Sequence, residues 1–135
     1  MTEQEIHKKK EFTYRGKTVE ELKKLEVREF ANLIPSRGKR SLLRHFQEVE
    51  SFLKRANKKI GKNKAVKTHD RELIIVPEMV GMKIGVHSGK GFTVFEVVGE
   101  MLGHRLGEFS PTRARIKHGS AGVGATKGSK GKSKK

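Results

Sequence analysis

The sequence predicts an α+β domain: a small antiparallel three-stranded sheet packed with N-terminal helices and a short C-terminal helix, flanked by disordered basic arms. Three observations carry this. Leu42, Phe46, Val49, Leu53, Ala56 and Ile60 recur at spacings of 4, 3, 4, 3 and 4, the stripe of an amphipathic helix. Residues 82–87 alternate apolar with polar, residues 92–97 are rich in β-branched and aromatic side chains, and Ser88-Gly89-Lys90-Gly91 between them is turn chemistry. After Phe109 the core composition ends, leaving only Ile116 and Val123 as large aliphatics.

Taken in order, residues 1–11 are polar, carry Lys8-Lys9-Lys10 and have nothing to bury, which marks a flexible arm. Phe12-Thr13-Tyr14 opens the globular part, residues 12–110. Thr18-Val19-Glu20-Glu21 is a capping box, so a short helix is expected over 19–25 with Val19, Leu22 and Leu25 on one face. A second helix over 28–34 must stop at Pro35, which restricts the residue before it and lacks an amide hydrogen. Ser36 then serves as the expected N-cap of the long amphipathic helix, which Gly61 ends and which also allows a division near Gln47. Residues 54–67 hold seven Lys or Arg and no acid, and read as a cationic loop. Leu73-Ile74-Ile75-Val76, bounded by Pro77, is the expected third strand beside the 82–97 hairpin. Gly99 caps an expected last helix over 100–106. Residues 111–135, acid-free and rich in glycine and lysine, form an extended tail that needs a partner to be ordered.

Composition narrows function before any motif does. The chain has 135 residues, 31 Lys plus Arg against 15 Asp plus Glu, a formal charge of +16, and only 33% hydrophobic residues. That closes one small core without lining a large substrate cleft, and the charge favours a polyanionic partner. No apolar run approaches the roughly 20 residues of a membrane span, so no membrane partner is expected. Met1 to Lys10 lacks an apolar stretch and resembles neither a secretory signal nor a mitochondrial transit peptide. With no cysteine, disulfides, thiolate zinc sites and cysteine nucleophiles are excluded, and a cytoplasmic location is the simplest fit.

Catalytic readings fail on geometry. The Gly85 to Gly91 stretch has three residues between Gly85 and Gly89 where a phosphate loop has four, and Gly91 where that loop has Ser or Thr. Glu96, Glu100 and His104 are four apart, yet lack a second histidine at ligand spacing. His87 and Ser88, neighbours in a strand, point to opposite faces and make a poor base and nucleophile pair. Gly119, Gly122 and Gly124 follow no strand and so are no dinucleotide fingerprint. No enzyme, cofactor, metal or small-molecule substrate is expected.

RNA contacts are expected instead from the cations. Arg37, Arg40, Arg44 and Arg55 suit bidentate phosphate forks, Lys39, Lys54 and Lys58 share their helical segment, and Lys62, Lys64 and Lys67 complete the acid-free stretch. Lys83 and the hairpin tip, His87, Ser88, Gly89 and Lys90, add a second group that can position phosphates. The alternative is a DNA-binding basic protein, a helix-turn-helix regulator or nucleoid compactor with the 37–58 helix in a major groove, although that helix lacks the mixture of base-reading side chains such proteins use.

Two stretches are specific: Val86-His87-Ser88-Gly89-Lys90, and Met101-Leu102-Gly103-His104-Arg105-Leu106-Gly107-Glu108-Phe109-Ser110-Pro111-Thr112-Arg113. Together they closely resemble the small-ribosomal-subunit protein nineteen family. Phe12-Thr13-Tyr14-Arg15-Gly16, Pro35-Ser36-Arg37, Ser41-Leu42, Lys117-His118-Gly119 and Gly122-Val123-Gly124-Ala125-Thr126 resemble its archaeal and eukaryotic branch, so the likeness covers residues 12–126. It implies a non-catalytic, cytoplasmic protein of the small subunit, bound to ribosomal RNA of the head beside small-subunit protein thirteen. It also implies a tail directed toward the decoding region, within reach of transfer RNA in the A site. By motif, His87 to Lys90, His104, Arg105, Thr112 and Arg113 become RNA contacts, and Arg115, Lys117 and His118 the threaded part of the tail. Lys127 to Lys135, a plain Lys, Gly and Ser run, departs from the more hydrophobic ending the resemblance leads one to expect and reads as nonspecific phosphate binding or disorder.

Overall fold

A computed structural model describes residues 11–115 and Gly128. The expected N-terminal arm up to Lys10, and most of the tail with Lys117 and His118, lie outside those residues. The architecture is α+β. A two-stranded ribbon, β1 (Thr13–Tyr14) and β2 (Lys17–Thr18), turns through Arg15 and Gly16, both at positive φ (51° and 79°), as the tightest hairpins require. It feeds directly into α1 (Val19–Lys23), where the capping box forms as expected: the Thr18 hydroxyl accepts from the Glu21 amide at 3.4 Å, and a Glu21 carboxylate oxygen accepts from the Thr18 amide at 3.0 Å. Removing that cap with Thr18→Ala is expected to cost about 1 kcal/mol. A thermal midpoint lower by about 5 °C would show it.

α2 (Val27–Ala31) ends ahead of Pro35, and α3 (Ser36–Arg44) and α4 (Phe46–Ile60) carry the long apolar stripe. The division expected near Gln47 falls at His45 (φ −102°, ψ 23°), and Pro35 rather than Ser36 holds the N-cap position. Leu42, Val49, Leu53 and Ala56 are buried as the spacing predicts, joined by Phe52, whereas Ile60 at the end of α4 is exposed. Residues 54–60 of the expected cationic loop are thus helical.

The three-stranded sheet corrects the expectation in two ways. Its third strand is β3 (Val66–Thr68), and β3 runs parallel to β4 (Lys83–His87); only β4 and β5 (Phe92–Glu96) form the expected antiparallel hairpin. Val66 and Thr68 bury one face while Lys67 stays exposed, a strand alternation hidden in a basic stretch. Leu73-Ile74-Ile75-Val76 is extended and wholly buried, but its hydrogen bonds go elsewhere. The Ile75 amide donates to His104 O (2.8 Å), the Gly103 amide to Ile75 O (3.1 Å), and the Leu106 amide to Leu73 O (3.0 Å), around an isolated Ile74–Arg105 bridge. A segment buried on both faces is free to pair with whichever chain reaches it, and the chain that does is the C-terminal one.

The expected last helix over 100–106 is absent. Two single turns of 3-10 helix, Gly99–Met101 and Leu106–Phe109, replace it, separated by Gly103 at φ 79°, a left-handed conformation that no right-handed helix accommodates. The core gathers between these layers, with Leu22, Phe30, Ile75, Ile84 and Leu106 fully enclosed. α1 packs on the turn Pro77–Met79, α2 on α3, and α4 on β3, and in the sheet Val66, Thr68, Ile84 and Val86 are buried while Lys67, Lys83, Phe92 and Val94 are exposed. No helix among the described residues is long and apolar enough to cross a membrane.

Candidate nucleic-acid interface

α3 is two-faced. Leu42 enters the core, while Arg37, Arg40 and Arg44, three and four residues apart, line one exposed face; Lys39, half-buried, lies off that line. None of the ion pairs among the described residues involves these three arginines. Guanidinium groups kept this close without carboxylates repel one another, and bidentate contact with phosphates removes that cost.

α4 continues the surface. Lys54 and Lys58 are four apart and exposed, and Lys62 is exposed just past Gly61. Arg55 is partly committed: its Nε donates to the Ser51 carbonyl at 3.3 Å and its guanidinium lies 3.9 Å from Asp70. Both partners of that pair are largely exposed, so it contributes little and yields readily to a phosphate. Three more predicted cations meet at one groove: Lys64 from the loop after α4, Lys67 of β3 and Lys83 of β4 line an opening of about 740 Å³ together with Ile60 and Val94.

At the hairpin tip the predicted residues divide. Lys90 and Gly89 are exposed. The Ser88 hydroxyl donates to the Gly91 carbonyl at 3.1 Å, closing the turn beside the Ser88 amide bond to the same carbonyl at 2.8 Å. His87 Nδ1 accepts from the Gly89 amide at 3.2 Å, so the imidazole does not face the serine hydroxyl as a base would. Ser88 shapes the tip and leaves Lys90 to project from it.

His104 and Arg105 are also engaged within the chain. His104 Nδ1 lies 2.7 Å from Glu108, and the Arg105 guanidinium 3.7 Å from Glu72, which holds the last 3-10 turn against the 71–75 segment. Thr112, Arg113 and Arg115 follow Ser110 and are exposed.

Sequence reasoning missed two features. Arg71 is not a surface cation: its guanidinium donates to the carbonyls of His87 and Ser110, and to that of Gly107 at 2.9 Å. Ser110, fully buried, adds an Oγ bond to the Val86 carbonyl at 3.1 Å. The root of the tail is therefore pinned to the end of β4. The second is a cluster of rings, His69, His87 and Phe92, on the solvent side of the sheet. Neither has a local sequence signal, since each joins residues far apart in the chain.

The arrangement offers cations and turn amides to a polyanion and, among the described residues, pairs no nucleophile with a base. Comparison with known proteins agrees. Residues 38–118, from α3 to beyond the tail root, match the family model described as Ribosomal protein S19. The small ribosomal subunit protein uS19 of Methanocella arvoryzae is 50% identical over 123 residues, 91% of this chain and 86% of that protein. The protein of the same name from Methanococcoides burtonii is 46% identical over 123 residues, 91% and 88% of the two chains. With the match spanning both arginine-bearing helices, the hairpin and the pinned tail root, the chain belongs to the ribosomal protein S19 family, and it is a structural ribosomal protein, not an enzyme.

Proposed function

We propose that this protein docks on ribosomal RNA of the small-subunit head through the exposed cations of α3, α4 and the hairpin tip, with residues 111–135 as a basic tail. As a member of its family it is a constituent of the small ribosomal subunit, in the cytoplasm, and supports translation. The observation that carries the finer reading is the face of α3, where Arg37, Arg40 and Arg44 stand exposed and outside every ion pair among the described residues. Lys54, Lys58, Lys62, Lys64, Lys67, Lys83 and Lys90 extend it, each exposed. Of the remaining predicted contacts, Arg55, Arg105 and His104 exchange weak surface pairs for phosphates on docking.

The tail reading is supported by its root. Arg71 and Ser110 fix where the chain leaves the domain, and Thr112, Arg113 and Arg115 continue outward from that point. From there residues 111–135 are directed toward the decoding region, within reach of transfer RNA in the A site, and the protein docks on the head RNA beside small-subunit protein thirteen.

Sedimentation of a native lysate on sucrose gradients at low and high salt, with the protein followed by mass spectrometry, tests the docking. Co-migration with small subunits that survives the salt is expected. Release into light or nucleoid fractions would remove the head-RNA reading and restore a DNA partner.

A further inference from the structure

The solvent face of the three-stranded sheet carries aromatic rings where a merely hydrated face carries polar side chains. Strand alternation places Lys67, Gly85, His87, Phe92 and Val94 on that face, opposite the buried Val66, Thr68, Ile84 and Val86. A Cβ on Gly85 would meet Lys67 Cγ and Val94 Cγ2 at 3.4 Å, so the side chains of the two flanking strands close over bare backbone in the middle. At the hairpin end three rings gather. His69 and His87 are tilted against each other, with centroids 4.5 Å apart and planes 34° apart. Phe92 stands edge-on to both, at 5.2 and 5.1 Å. The Lys67 ammonium sits 5.2 Å from the Phe92 ring centroid.

A cluster assembled for stability would be enclosed, yet Phe92 is 37% exposed, Val94 61%, and His69 is exposed. The charged groups nearby are mainly cationic: Lys67, Lys83 and Lys90, against Glu96 on β5 and Asp70, which accepts from the Thr68 hydroxyl. Planar rings on an exposed sheet, bordered by cations, are the chemistry that takes a flat, electron-rich group attached to an anionic chain.

We propose that His69, His87 and Phe92 form a stacking platform for an unpaired nucleobase of single-stranded RNA, with Lys67 and Lys90 holding the neighbouring phosphates. The proposal rests on the RNA interface argued above and names the part of the RNA that this face takes. A duplex keeps its bases stacked inside and cannot use the platform, whereas any splayed base presents a π-face to it.

The test uses the full-length protein and two fluorescein-labelled probes, a single-stranded adenylate oligomer of about 12 nucleotides and an RNA duplex of the same length. Phe92→Leu keeps apolar bulk and removes the ring; His69→Leu changes an exposed position, and thermal melts confirm that both variants fold. Each is expected to weaken binding of the single strand at least about fivefold, the low end for one base on one ring, while duplex affinity changes by less than about twofold. The slope of affinity against salt stays the same, because no cation is removed. A 2-aminopurine at the centre of the single strand is quenched by the native protein and less by either variant. Unchanged single-strand affinity, or equal losses on both probes, would overturn the platform and leave the RNA interface standing. Native protein that binds neither probe would overturn both.

Discussion

Replacing Arg71 by alanine is expected to destabilise the domain by about 3 kcal/mol, measured as a lower urea midpoint with an unchanged slope. One guanidinium satisfies three carbonyls, those of His87, Gly107 and Ser110. Each hydrogen bond from a charged donor contributes about 1.5 to 3 kcal/mol, but three bonds of one half-buried side chain are not additive, and water replaces part of what is removed. Arg71→Lys should recover only a fraction, because an ammonium on a flexible stem cannot present a planar fork to three acceptors. Hydrogen exchange at Gly107 and Ser110 should quicken in both variants. A loss below about 1 kcal/mol would mean that solvent already holds these carbonyls and that the tail root is pinned by Ser110 alone.

The larger effect concerns binding. Neutralising about eight phosphates gives a slope of log affinity against log salt of roughly −7, so affinity for a head-domain RNA fragment should fall about 10⁴-fold between 50 and 200 mM salt. Exchanging Arg37, Arg40 and Arg44 together for alanine should flatten that slope by about 3, one unit for each phosphate that is no longer neutralised. Removing residues 127–135, which carry five lysines, should also flatten it while leaving the core docked. A slope that ignores the truncation would show that the terminal lysines touch no phosphate, and one that ignores the triple exchange would move the interface off α3.

What the sequence made legible was whatever lies within a few residues of itself. The Thr18–Glu21 box, the stripe from Leu42 to Ala56 and the hairpin about Ser88 to Gly91 are local agreements between spacing and backbone period, and each formed. Errors arose where the outcome depends on a distant partner. Residues 73–76 were legible as extended and buried, but nothing in them says that they exchange hydrogen bonds with the 103–106 segment rather than with β4. Val66 to Thr68 is too short to announce a strand among so many lysines. In the proposed interface, charge and helical spacing predict that Arg37, Arg40 and Arg44 share one face of α3, and all three are exposed. Charge does not tell these from Arg105, whose guanidinium lies beside Glu72 within the chain, or from His104, whose ring lies beside Glu108. His69 and Phe92 escaped notice for the same reason: a ring platform exists only after β3 lies beside β4 and β4 beside β5.

The pairing of residues 71–75 with 103–107 also sets an order of events during synthesis. The four aliphatics of 73–76 leave the polymerising machinery roughly 30 residues before the strand-like segment that covers their backbone, which at 5 to 20 residues per second is a delay of about 2 to 6 s. Through that interval a nascent chain of high positive charge displays an apolar tetrapeptide whose backbone groups lack their later partners, close to polyanions that its lysines attract. The vulnerable species is therefore a chain that has emerged past residue 77 but not yet past residue 103, and a holding chaperone that reads short hydrophobic segments would find its target there.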